Sequence, residues 1–235
     1  MKMTLKPTET ENEPSTALAK PLTPLPQFTG DWDFNDTRIP RLNLVHKTSD
    51  GELIERFGIG AFCFNKEIKL SDGKTPLLVT ALRAGKDFIQ KLPFGDPEMP
   101  LVFKSKDEVL ANGGSFNKKD AANRTYYIPR AHIQFIVRMP EDTDEEGAAM
   151  FPYEHDTHQF GMAILTVSSS AYTATAVELA TLCAHNSVMR KGMPYGKLEL
   201  TSSARTSPRY SWLVPQIQFA GANKPEFIKF VEGLM

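Results

Sequence analysis

The chain has 235 residues, 27 Lys and Arg against 28 Asp and Glu, and a hydrophobic share of 41%, which is enough to bury a sizeable core in one large domain or two small ones. No run approaches the ~18 apolar residues that a membrane span requires, and the lysines near the start are not followed by the apolar stretch of a signal peptide. Two cysteines, Cys63 and Cys183, lie far apart in apolar contexts and read as buried free thiols. These features predict a soluble, cytoplasmic protein without a membrane partner.

Residues 1–30 hold Pro7, Pro14, Pro21, Pro24 and Pro26 among Thr and Glu, with few large apolar side chains. Such a stretch cannot offset its ordering entropy, so a flexible polar leader is expected, followed by a single domain over 31–235. Asp31-Trp32-Asp33-Phe34 then sets two aromatics among acids, suited to dock the leader on the body or to reach a partner.

Strand signals begin at Arg38. Ile39, Leu42, Leu44 and Val45, between Pro40 and the Asp50-Gly51 turn, suit a first strand near an edge. Gly58-Ile59-Gly60 feeds Ala61 to Phe64, apolar enough for burial on both faces. Asp72-Gly73-Lys74 reads as a hairpin turn into Leu77 to Leu82, and Ala84 to Leu92 is either a short helix or a continuing strand. Ser105 caps a short helix over Lys106 to Asn112, stopped by Gly113-Gly114, and Asn117 to Arg124 reads as loop.

Ala131 to Met139 alternates Ile133, Phe135 and Val137 with His132, Gln134 and Arg138, the pattern of a half-buried strand. An acidic loop follows at 141–156. Its seven carboxylates face no Lys or Arg, and without them the remainder has 27 basic against 21 acidic residues, a mildly basic body. Phe160 to Val167 is the next strand, and Ser168 to Ser170 cap the longest helix, about Ala171 to Arg190. A closing hairpin (Leu198 to Ala204, Tyr210 to Phe219) and a short helix from Glu226 to Glu232 end the chain. The expected class is α+β, a mainly antiparallel sheet curled into a partial, OB-like barrel with one long and two short helices.

Enzyme signatures are weak. No phosphate-binding glycine loop or Gly-x-Ser-x-Gly elbow occurs, and no cofactor is called for. Glu154-His155-Asp156-Thr157-His158 groups metal-ligating types, but loop surroundings argue against the histidines meeting, so no metal is assigned. His46, His132 and His185 stand alone in the sequence. A composite of cations and aromatics fares better, because single strands are held by a basic groove with aromatic faces for stacking. Arg38, Arg41, Lys47, Arg83, Lys86, Arg124 and Arg130 are the candidate phosphate contacts, with Tyr126, Tyr127 and Trp212 the stacking candidates.

Ile39-Pro40-Arg41-Leu42-Asn43-Leu44-Val45 followed by Lys47-Thr48-Ser49 resembles the opening of a group of largely uncharacterised phage early proteins, associated with replication and single-strand binding. Gly58-x-Gly60-x-Phe62 and Leu92-Pro93-Phe94-Gly95 extend the likeness to about Met139. The resemblance implies a non-catalytic protein that binds single-stranded DNA in the host cytoplasm, with an OB-type barrel. Phage proteins of that kind end in an acidic tail with a terminal aromatic, whereas this chain ends Glu232-Gly233-Leu234-Met235. The internal acidic loop would then take the tail's place in recruiting replication proteins, and a homodimer is a further expectation. The alternatives are a structural or interaction module, such as a virion component or host-protein inhibitor, and a metal-dependent nuclease.

Overall fold

A computed structural model describes residues 39–93, 95–208 and 210–235, so the leader, Trp32, Phe34 and Arg38 lie outside the described residues. The strands are β1 (Leu42–Leu44), β2 (Phe62–Phe64), β3 (Ile68–Ser71), β4 (Leu77–Gln90), β5 (Val102–Phe103), β6 (Tyr127–Arg138), β7 (Tyr153–His155), β8 (His158–Ser168), β9 (Gly196–Thr206) and β10 (Ser211–Ala222). They form a small sheet, β1-β2-β3, and a seven-stranded sheet in the order β10-β9-β4-β6-β8-β7 with β5 beside β4. Every strand pair is antiparallel. The α+β class with a mainly antiparallel sheet holds.

Alternation along β6 creates two apolar layers. Ala131, Ile133, Phe135 and Val137 face the main core, where they meet Leu42, Leu44, Phe62 and Phe64 of the small sheet and Leu198, Leu200 and Ile217 of β9 and β10. Ile136 faces the other way, with Leu82, Phe160 and Met162, and is covered by Phe227, Phe230 and Val231 of the C-terminal helix α6 (Pro225–Glu232). The small sheet is likewise buried on both faces. Cys63 and Val45 point away from the main core onto Phe57 of α1 (Gly51–Phe57).

The two sheets are stitched at two points. Ile164 N–H donates to the Pro40 carbonyl beside the parallel bridge of Arg41 with Ile164, and Ser202 N–H donates to the Gly73 carbonyl. Strands β8 and β10 sit far apart in the sheet order, yet Ile164–Ser168 and Trp212–Pro215 line the same cleft. The large sheet is therefore bent strongly around its core.

Several expectations need correction. Asp72-Gly73 turns the chain from one sheet into the other, because β3 pairs with β2 while β4 pairs with β6 and β9. Ala84 onward continues β4 to Gln90. The exit of the first strand runs into α1, and the acidic stretch contains the short helix α3 (Glu145–Ala148) and β7. Helix α2 (Lys106–Ala111) starts where expected, with Ser105 Oγ accepting from Glu108 N–H.

The longest helix is composite. Ser169–Ala171 (α4) leads into a π-helical stretch, Tyr172–Val177, and then Glu178–His185 (α5). It stops short of Arg190, because Asn186 is extended and its side chain accepts from Val188 and Met189 N–H to start a tight turn. A π stretch shifts the angular register of a helix. Leu179 is buried and Leu182 and Cys183 pack on the core as expected, but Val177 and Ala180 are exposed.

Gly73 marks the tightest junction. Its φ of +78° favours glycine, and a Cβ there would overlap the Gly60 carbonyl and press on Ser202. Gly73→Ala is expected to cost about 2 kcal/mol or more in urea denaturation. Gly85→Ala, where nothing lies within 4 Å of the added methyl, should stay within about 0.5 kcal/mol.

Candidate nucleic-acid interface

Arg130 and Asp87 are directly opposed on β6 and β4, and both point to the outer face of the sheet. Arg130 Nε donates to Asp87 Oδ1 at 2.8 Å and Nη2 to Oδ2 at 2.6 Å, a bidentate pair. His132 Nε2 lies 3.1 Å from Asp87 Oδ2, and its Nδ1 lies 3.0 Å from Thr166 Oγ1 on β8. With its proton on Nε2, His132 donates to Asp87 and accepts from the Thr166 hydroxyl. Asp87 is only 4% exposed. Burial opposes its ionisation, but hydrogen bonds from Arg130 and His132 outweigh that and hold its pKa below the ordinary 3.8. Thr166, His132 and Asp87 trace the outline of a nucleophilic relay. Arg130 already matches the carboxylate charge, so the network fixes the guanidinium and imidazole in place.

Arg130, His132 and Thr166 form one wall of a cleft of about 550 Å³ between β1, β8 and β10, with Asp87 behind them. Arg41 and His46 come from the β1 side, Arg130 and His132 from β6, and Trp212 from β10. Trp212 is oriented by a 2.7 Å hydrogen bond from its Nε1–H to Ser170 Oγ. Tyr210 lies 5.3 Å from it, centroid to centroid, and is 67% exposed. Lys47 extends this rim, its Nζ reaching Ser211 Oγ at 3.5 Å. Burial lowers the pKa of His46. Asn43 also lines the cleft, and among the described residues its buried Oδ1 has no hydrogen-bond partner. No Asp or Glu is among the described residues of the lining.

A second cleft, of about 860 Å³, opens on the other side of the Ser168–Ser170 turn, where Ser169 adopts φ +54°. Lys91, Lys118, Arg124 and Tyr126 line it, again without a carboxylate among the described residues. Ser169 borders this cleft while Ser168 and Ser170 border the first, which makes the two neighbours along one track. The acidic residues Asp142, Asp144 and Glu146 line a different cleft beside Arg56 and Lys69, which shares no residue with either.

The candidate residues are thus only partly gathered. Arg41, Arg130 and Trp212 meet in the first cleft, Lys47 at its rim, and Arg124 and Tyr126 in the second. Arg83 lies on the outer face, bonded to Gln134, whereas Lys86 points to the core side, with its Nζ 5.4 Å from the Tyr172 ring centroid. An odd spacing along β4 separates them.

Tyr127 is no stacking platform. It is 3% exposed and packs with Phe88, Phe103 and Val109 beneath α2. Neighbouring residues of a strand face opposite ways, so Tyr126 and Tyr127 were never equivalent. His46 and His132 join the cleft through β1 and β6, which no local sequence signal reveals. His155 and His158 are cross-strand partners in a β7–β8 hairpin, not loop residues. His155 stacks on Phe230 at 4.8 Å, and no metal-binding cluster occurs among the described residues. Cys63 and Cys183 are free, and burial raises the pKa of both thiols.

The chain matches no protein-family model, no curated protein and no solved structure.

Asp87→Asn should cost about 1–3 kcal/mol at neutral pH, since it leaves Arg130 underpaired. The folded-state pKa of Asp87 is depressed, so its contribution is full above the unfolded value near 3.8 and fades as pH falls through the lower folded value. Urea midpoints of the two proteins should therefore converge at low pH. Tyr127→Ala should lower stability by about 3 kcal/mol or more, and Tyr126→Ala by far less, in the same assay.

Proposed function

We propose that the protein binds single-stranded DNA along the track formed by the two carboxylate-free clefts, without catalysing a reaction. The observation that carries this reading is the first cleft: Arg41 and the Asp87-paired Arg130 converge there, with His46 and His132 as polar neighbours, beside an oriented, half-buried Trp212 and with no acid among the described lining residues. Cations neutralise phosphates and aromatic faces stack bases of any sequence. The unpartnered Asn43 Oδ1 offers an acceptor to an exocyclic base amine. In this reading the bent sheet works as an OB-like partial barrel whose seam between β8 and β10 is the groove. The acidic segment, lining a separate cleft, is left to recruit a replication protein. A phage origin, the host cytoplasm and a homodimer belong to the same proposal.

One observation favours a second reading, an interaction module. Met99 is 91% exposed, and Leu101 and Val102 beside it are exposed too, an apolar stretch next to the short strand β5.

Fluorescence anisotropy of a labelled ~30-base oligonucleotide, at two salt concentrations and beside a duplex control, tests the proposal. Tight, salt-sensitive binding that prefers the single strand is expected. Trp212→Ala should weaken it by about 1–3 kcal/mol, and Arg41→Ala should make the log–log salt slope shallower by about 0.7. An absence of binding at low salt would leave the interaction module as the better account.

A further inference from the structure

The outer apolar layer ends in a hollow at the start of α6. Its floor is Leu78, Phe160 and Phe227, and its rim carries Arg138, Lys197 and Lys224. Asp156 is the one carboxylate among its described lining residues. Leu78 is 50% exposed on the outer face of β4, where it opposes Glu199 of β9. The hollow measures about 250 Å³. That is below the roughly 300–1,000 Å³ usual for small-molecule sites and suits an aromatic side chain used as an anchor.

We propose that this hollow is the docking site of the chain's own Asp31-Trp32-Asp33-Phe34 segment, which lies outside the described residues. Three features select that occupant. Its charge is complementary: Lys197 and Lys224 stand at the rim beside Asp156, while Arg138 is already held by Glu141 at 3.4 Å, so the two lysines are left to face the segment's carboxylates. Its pattern fits as well: in an extended segment Trp32 and Phe34 share one face while Asp31 and Asp33 share the other. The aromatics cover the apolar floor while the acids face outward, where the long lysine side chains of the rim can approach them.

The chain also enters the described region at the right place. Ile39 packs onto the same outer layer that holds Ile136, Phe160 and Phe227. Five extended residues from Phe34 to Ile39 reach up to about 17 Å. The aromatic contacts supply the affinity, since exposed ion pairs contribute little. This inference is independent of nucleic-acid binding.

The full chain has two tryptophans, so Trp212→Phe leaves Trp32 as the sole indole reporter. Its emission is expected to lie to the blue of the denatured chain, with acrylamide quenching reduced, at all protein concentrations. Leu78→Gln, which avoids a like charge opposite Glu199, and separately the pair Lys197→Gln with Lys224→Gln, should move that emission to the denatured position. Far-UV circular dichroism and the urea midpoint should hold, because Leu78 and Lys224 are exposed and Lys197 is only half-buried. A Trp32 that emits as in the denatured chain from the outset overturns the proposal. So does shielding that survives the hollow variants, which places the segment elsewhere, and shielding lost on dilution, which assigns the occupant to a second copy.

Discussion

Strand β6 must bury apolar side chains on both of its faces over half its length, and that constraint shapes the molecule. Ile133, Phe135 and Val137 need cover on one side and Ile136 on the other. The small sheet and the composite helix supply the first cover, and α6 supplies the second. A sheet with both faces apolar in one half and only one in the other cannot be a uniform two-layer sandwich. The outer face of this one divides into an apolar half beneath α6 and a polar half around Arg130 and His132.

In the polar half, one carboxylate organises an arginine and a histidine. Asp87 is nearly removed from water, and a lone buried carboxylate would be costly. Arg130 and His132 offset that cost through hydrogen bonds, and in return they are held at the wall of the cleft. The Arg130 and Asp87 charges cancel, and what the network presents to the cleft is a fixed guanidinium and imidazole, with the carboxylate behind them. Arg41, His46 and Lys47 arrive from the other side of the seam by virtue of the backbone bridge between β1 and β8. A chain with a net charge of −1 thereby has a cleft whose described lining carries two arginines and no carboxylate.

The seam itself follows from packing. Leu42, Leu44, Phe62 and Phe64 enter the main core from the small sheet and so sit between the two ends of the bent large one. The Gly73 and Gly60 approach allows the chain to pass between sheets without separating them. On the outer face, Leu78 and the cations beside it mark where cover by α6 ends.

The sequence by itself determined the class, most strands, the Ser105 cap, the closing hairpin and the final helix. Those signals are local: period-two alternation, a hydroxyl before a helical stretch, a proline at the first turn. It also placed Arg41, Arg130 and Trp212 among the candidates, since cations beside aromatics are visible in a linear chain. Only the tertiary structure decided that these three meet, that Tyr127 is interior while Tyr126 is not, and that Lys86 and Arg83 part company. It alone joined His132 to Asp87 and Thr166 across three strands, and moved the acidic segment away from the cleft. The physical reason is that side-chain meetings depend on strand register and on which face a neighbour covers. Register between strands many residues apart is fixed by the joint burial of Ile133, Phe135 and their partners, and no short window of sequence contains that sum.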